Sequence, residues 1–325
     1  LAKPKVLGNG ELNEVQSITR ALKKLTEPPK GAKESNHRGK SYLNNAEFDE
    51  EKFNSLILEK FMDDLYPFQR EYIENIERYY NSRLPIARES MIIKLRQGGF
   101  TFNISRFNVK RLVEKEHNQI YMSSSKSQAF QAKSYVINFV REATGVELSG
   151  GDKIIFPNHK EFFFLGSNPS TAQGYSGDVT CDEYMWWRNF DELRAAVTGC
   201  STHSQYITNY LSTASSKKHP GYRYWAGKEW NDHNPDQQFT VDRDYLGDGR
   251  ICPDRRYRQI IHIHDAIRGG YDRINIDELR LKHPDPDEFA NLFLCQFNDD
   301  IKGAFRYEWI YDCMVDSLEE WQDYA

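Results

Sequence analysis

The sequence predicts an α/β fold with a mainly parallel sheet flanked by helices, and three observations predict it. Up to about residue 165, short apolar runs alternate with stretches of helical spacing. One run, Met91-Ile92-Ile93, leads through Lys94-Leu95-Arg96-Gln97-Gly98-Gly99-Phe100-Thr101 into a helical segment, Phe102–Glu116. A strand, a glycine turn and a helix together make the geometry of a phosphate-binding loop. Further on, Asp178-Val179-Thr180-Cys181-Asp182-Glu183 reads as a short buried strand ending in two acids.

Composition sets the outer limits. The 325 residues are 39% hydrophobic, 28% charged and 14% aromatic, enough for one large domain or two modest ones. No apolar run approaches the roughly 20 residues that span a bilayer, so no membrane partner is expected. The N-terminus shows neither an apolar signal region nor an initiator Met, which reads as a fragment. The five cysteines are widely spaced without a C-x-x-C pair. That argues against a disulfide framework or a zinc site and fits a reducing cytoplasm. With a net charge of −5, any contact with nucleic acid is expected through local patches.

In chain order, Leu12, Val15, Ile18 and Leu22 have the spacing of an amphipathic helix. Residues 26–50, with Pro28, Pro29 and Gly31, read as a linker, so residues 1–50 form an N-terminal arm. Phe53, Leu56, Ile57 and Phe61 restart a helical pattern. Tyr66-Pro67-Phe68-Gln69-Arg70 reads either as a helix start with a core aromatic or as an adenine pocket. In the pocket reading the Gln69 amide meets the base edge while Tyr66 or Phe68 stacks on it.

In the loop, Gly98 and Gly99 let backbone N–H groups face an anion. Thr101 sits where a hydroxyl holds Mg²⁺. The standard pattern, G-x-x-x-x-G-K-[ST], has lysine where this chain has Phe100. Lys94, seven residues before Thr101, can fold back toward the β/γ-phosphates, and Arg96 adds a second charge. A Gly-Gly turn with flanking surface charges is the competing reading.

Gln119–Ser124 reads as a strand, Gln128–Glu142 as a helix, and Lys153–Phe156 with Glu161–Leu165 as a hairpin. At the end of the acid-bearing strand Asp182 suits a Mg²⁺ ligand, and Glu183 suits a group that orients water. Adjacent strand residues point to opposite faces, so this pair must sit where the chain turns. A helix follows over Phe190–Val197, then a strand over Gln205–Thr213 ending in hydroxyls. Ser212 and Thr213 there read either as a γ-phosphate sensor or as a hydroxyl-rich turn.

Residues 215–258 are polar, with Lys217, Lys218, His219, Arg223 and Lys228 interleaved with Tyr222, Tyr224, Trp225 and Trp230. That pattern suits a grip on nucleic acid or a solvated lid over packed aromatics. Gln259–His264 reads as a strand whose His262 and His264 share a face, for metal binding or for sheet packing. Residues 277–297 and 308–325 are helical in character.

Taken together, these motifs resemble the large terminase subunit of tailed double-stranded DNA bacteriophages, in the branch whose loop reads K-x-R-Q-x-G-x-[ST]. The likeness runs from about Phe61 to the end and includes Ser167–Tyr175, Asp182-Glu183-Tyr184, Leu211–Ser216, Ile263–Ala266 and Asn291–Phe293. The resemblance implies a P-loop NTPase core of the ASCE/RecA-like kind over residues 51–260. Residues 261–325 would then complete the sheet and add a small lid or linker leading toward a nuclease domain, with no nuclease activity in this fragment.

It further implies an ATPase using ATP and Mg²⁺ to drive double-stranded DNA into a procapsid. Its expected partners are the portal protein, the small terminase subunit and further copies in a homo-oligomeric ring, within the host bacterial cytoplasm. Carried onto this chain, Lys94 and Thr101 match the phosphate and Mg²⁺ ligands, with Gln97 to Phe100 between them. Arg96 matches a cis-acting arginine, Asp182 and Glu183 the metal ligand and catalytic carboxylate, Ser212-Thr213 the coupling motif, and Gln69 the adenine reader. Another P-loop translocase or helicase-like ATPase, or a non-catalytic nucleotide-binding adaptor, remains as an alternative.

Overall fold

The computed structural model describes residues 48–168 and 174–298. The expected helices over residues 1–25 and 308–325, most of the linker, and the centre of the Ser167–Tyr175 stretch lie outside the described residues. The sheet has eight strands: β1 (Glu89–Lys94), β2 (Gln119–Met122), β3 (Lys153–Ile155), β4 (Glu161–Leu165), β5 (Asp178–Asp182), β6 (Thr208–Ser212), β7 (Arg250–Ile251) and β8 (Tyr257–Ile261). They lie in the order β3-β4-β2-β5-β6-β1-β8-β7. The six inner strands run parallel, and only the edge strands β3 and β7 pair antiparallel. The expected mainly parallel sheet is therefore present, as is the 153–165 hairpin.

Helices cover both faces, so the inner strands are buried on both sides even where they carry polar residues, as in Asp178–Asp182 and Thr208–Ser212. Alternation along each strand sorts residues between two cores. Ile92, Tyr121 and Leu211 face one side; Met91, Ile93, Ile120, Val179, Cys181 and Tyr210 face the other. The first side is covered by α1 (Glu50–Lys60), α2 (Pro67–Tyr80), α3 (Phe100–Glu114) and α4 (Lys126–Thr144). The second is covered by α5 (Phe190–Cys200), α6 (Pro220–Trp225) and the chain after it. Pro67 opens α2 at a position where a missing N–H costs nothing.

Three side-chain rungs fix α3 along β5. Arg111 donates to Asp178 at 2.6 Å, the amide of Asn108 donates to the hydroxyl of Thr180 at 3.0 Å, and Thr101 donates to Asp182 at 3.0 Å. Ten residues of helix rise about 15 Å and four residues of strand about 13 Å, so the outer rungs are matched in length. This match delivers the start of α3 to the end of β5.

Two expected elements differ. The helix over 277–297 is two helices, α10 (Ile276–Lys282) and α11 (Pro286–Leu294), because Pro284 and Pro286 forbid a continuous ladder. The last inner strand stops at Ile261. His262 then caps α9 (Ile263–Arg268), where its ring accepts from the Asp265 N–H and the Asp265 carboxylate accepts from the His262 N–H. His262 and His264 therefore do not share a strand face, and Asp265 is engaged by Arg243 and Arg268. Among the described residues no cluster of three or more His, Cys, Asp or Glu forms a metal site there.

Within 215–258, α6, α7 (Lys228–His233) and α8 (Arg243–Leu246) pack onto the sheet rather than standing off it. Tyr224 and Trp225 are buried while Lys217, Lys218, Arg223 and Lys228 point outward. The aromatics therefore serve the core. Among the described residues no helix is long and apolar enough to cross a membrane.

Candidate active site

β1, β5 and β6 are neighbours in the order β5-β6-β1, and their C-terminal ends bring the key side chains together. Gly99 takes a left-handed conformation, φ +72°, and α3 begins on the next residue. A Cβ at Gly99 would stand 2.6 Å from the Gln69 amide nitrogen, and one at Gly98 would stand 2.7 Å from the Leu95 side chain. Both positions therefore need glycine. The first-turn N–H groups of α3 have no carbonyl behind them in the helix and mark an anion-binding end.

Phe100 is buried, edge-on to Phe68 at 5.9 Å and Tyr72 at 5.7 Å. Its side chain thus belongs to the core, and its backbone N–H lies at the start of α3 on the loop. The position before Thr101 points into the apolar core, and the ammonium beside the acid pair is that of Lys94. Its ammonium donates to Glu183 Oε1 at 2.6 Å. The ion pair is nearly enclosed, with 7% of the Lys94 side chain and 21% of the Glu183 side chain exposed.

β5 ends at Asp182, and Glu183 takes a left-handed conformation, φ 53°, which swings it off the strand. Such a conformation costs a non-glycine residue about 1 kcal/mol or more and is held by its surroundings. Glu183 Oε2 accepts from the Thr213 N–H at 3.0 Å, the Thr213 hydroxyl at 3.1 Å and the Ser212 hydroxyl at 3.2 Å. Asp182 Oδ2 accepts from Thr101 at 3.0 Å and from the Tyr121 hydroxyl at 2.6 Å, while Oδ1 accepts from the Glu183 N–H at 3.1 Å.

The charges respond to one another. Burial works against the charge on Lys94, but Glu183 and Asp182 outweigh it and hold its pKa above the ordinary lysine value. Burial also opposes the Glu183 charge, yet Lys94 and the Thr213 donors bring its pKa below the usual value. Asp182 goes the other way: burial raises it against the pull of Lys94, and Glu183 adds to the rise. Two carboxylates beside one ammonium leave net negative charge at a pair of hard oxygen donors, Thr101 and Asp182. That donor set fits Mg²⁺.

The remaining expected residues sit around this centre. Arg96 and Gln97 are exposed on the loop, beside a cleft of about 400 Å³ lined by Leu279, Leu292 and Phe293 among others. The Tyr271 hydroxyl donates to the Gln97 carbonyl at 2.7 Å. Gln69 is only 3% exposed and its amide is engaged: it donates to the Gly98 carbonyl at 2.8 Å and accepts from the Tyr66 N–H at 3.0 Å. Gln69 thus braces the loop from beneath. Tyr66 stands edge-on to Tyr271 at 4.9 Å, and its hydroxyl is tied to Asp272 and Arg273.

A family model for the terminase large subunit, T4-like-virus type, N-terminal region, matches residues 91–312. The chain belongs to the terminase large-subunit family. It is 38% identical over 238 residues to the terminase, ATPase subunit, of Escherichia phage P2, covering 72% of this chain and 40% of that protein. It is 34% identical over 272 residues to the probable terminase, ATPase subunit, of Haemophilus phage HP1 (strain HP1c1), covering 82% and 43%. The chain thus spans less than half the length of these relatives. The large terminase of bacteriophage HK97 shares the fold, with a TM-score of 0.50 and 18% identity over 76% of this chain and 55% of that one.

Two features of this terminase site are not visible in the sequence. Tyr121 reaches Asp182 from β2, and the Trp186 indole donates to the Thr213 hydroxyl at 2.9 Å. Neither lies in a recognisable motif, and only the strand order makes them neighbours.

Proposed function

We propose that this chain is the ATP-hydrolysing part of a packaging motor that drives double-stranded DNA into a viral procapsid. The observation that carries the reading is the convergence of Lys94, Thr101, Asp182, Glu183, Ser212 and Thr213 at the ends of three adjacent strands. In this reading residues 51–260 form the ATPase core, residues 1–50 an arm, and residues 261–325 a lid or linker. The motor would work as a ring of copies on the portal protein in the host cytoplasm, with the small terminase subunit as a further partner.

The roles follow from the chemistry. Thr101 and Asp182 would hold Mg²⁺, which offsets charge on the phosphate oxygens. The loop N–H groups and Lys94 bind the β- and γ-phosphates, and Arg96 reaches the transferring group from the exposed side of the loop. Glu183 orients the attacking water and takes up its proton. Lys94 has two tasks. Its move toward the phosphates releases Glu183 Oε1 for water, while Ser212 and Thr213 keep Oε2 fixed. Those two hydroxyls then carry the change at the phosphate along β6 to the chain beyond it. Tyr66 flanks the base, with Gln69 holding the loop at the correct height beside it.

Glu183→Gln tests the reading. It keeps the shape of the side chain but removes the proton acceptor. ATP binding should stay near wild type, and turnover should fall by about 10²–10⁴-fold. Comparable turnover in the two proteins would remove Glu183 from this role.

A further inference from the structure

We infer that Tyr121 is a positioning residue for the metal site, setting the orientation of the Asp182 carboxylate from the neighbouring strand. The inference rests on the phosphate-site reading above. β2 pairs with β5 in register Tyr121↔Thr180 and Met122↔Cys181, so Tyr121, Thr180 and Asp182 share the face covered by α3. The Tyr121 ring is fully buried and tilted against Phe164 at 6.5 Å, which leaves its hydroxyl one direction to point. That hydroxyl donates to Asp182 Oδ2 at 2.6 Å, the same oxygen that accepts from Thr101. Oδ1 is turned toward the Glu183 N–H. Each Asp182 oxygen therefore has an assigned donor, and the carboxylate cannot rotate without breaking the phenol bond.

The consequence is specific. Asp182 lies between a backbone N–H, a hydroxyl that would share the cation, and a phenol that would not. The phenol is the side-chain donor that fixes the carboxylate independently of nucleotide and metal. Partners of this kind orient a ligand and hold its charge, and their removal lowers metal affinity by about 10–100-fold. The loss should fall on the cation-dependent part of nucleotide binding and leave the cation-independent part alone.

The test is isothermal titration of the 325-residue chain with ADP, with Mg²⁺ and with chelator, for wild type, Tyr121→Phe, Tyr80→Phe and Asp182→Asn. Tyr121→Phe keeps the ring and its packing. Tyr80→Phe is the structural control, since its buried hydroxyl lies within hydrogen-bond reach of the Thr208 carbonyl at 2.9 Å and the Asn209 side chain at 2.8 Å. The gain in ADP affinity on adding Mg²⁺ should shrink about tenfold in Tyr121→Phe. It should be unchanged in Tyr80→Phe and lost in Asp182→Asn, with metal-free affinity equal in wild type, Tyr121→Phe and Tyr80→Phe. A wild-type Mg²⁺ gain in Tyr121→Phe, or an equal loss in Tyr80→Phe, overturns the inference and leaves the site reading standing. A wild-type gain in Asp182→Asn overturns both.

Discussion

Two buried charge clusters lie on neighbouring strands, and they are finished differently. On β8, Arg258 is fully enclosed. Its guanidinium makes two bonds to Asp254, at 2.7 and 2.6 Å, and donates to the Trp225 carbonyl at 2.7 Å. Donors and acceptors meet inside the cluster, with no way in for a ligand. On β1, Lys94 makes one short bond to a glutamate that is itself partly exposed, beside a glycine turn and a helix start. A closed pair holds the fold; in the proposed function the open pair exchanges its partner for a phosphate. On that proposal, the way a charge cluster is closed separates a structural one from a functional one more sharply than burial does.

The largest effect that would break this contrast is expected at the closed pair. Arg258→Leu leaves Asp254 in the core with only Arg256, at 3.3 Å, as a cation partner and should cost about 3–5 kcal/mol in chemical denaturation. Adding Asp254→Leu should recover most of it, since a buried ion pair is replaceable by apolar groups of similar volume. A small loss in the single variant would show that this cluster is not closed.

Next comes Phe100→Lys, which restores the standard loop spelling. The side chain points between Phe68 and Tyr72, so the change should destabilise by about 3 kcal/mol or more. It should not restore nucleotide binding to a Lys94→Ala background. Restored binding would show that position 100 can turn toward the phosphates.

A smaller effect sits at His219, which caps α6. Its ring accepts from the Gly221 N–H at 3.0 Å and bonds the Trp187 carbonyl at 2.9 Å. Burial pushes its pKa down to about 4. Between that value and the unfolded value near 6.5, the unfolded chain binds more protons than the folded one. Stability is therefore full above pH 6.5 and falls as pH drops toward 4, by up to about 3 kcal/mol. His219→Asn should flatten that part of the stability profile, and an unchanged slope would place the acid sensitivity elsewhere.

Much of the site was legible because its residues sit next to a backbone feature that sequence encodes. Gly98-Gly99 after an apolar run marks the loop, and Asp182-Glu183 after a second run marks a strand end. What hid were contacts that depend on strand order. Tyr121 lies sixty-one residues from Asp182 and reaches it only because β2 and β5 pair. The Gln69 amide looked available to a base, and nothing in a linear pattern reveals that the Gly98 carbonyl already takes it. At His262-x-His264-Asp265 the extent of the strand was hidden. The strand ends three residues before His264, and His262 and Asp265 form a helix cap instead.

In the proposed function the lysine serving the phosphates comes from the end of β1, seven residues before Thr101. The decisive measurement is Mg²⁺-dependent ATP binding and hydrolysis of wild type beside Lys94→Ala. Lys94→Ala should lose both while the fold persists. Wild-type binding and turnover in Lys94→Ala would contradict it, and the phosphate cation would then have to be sought elsewhere around the loop.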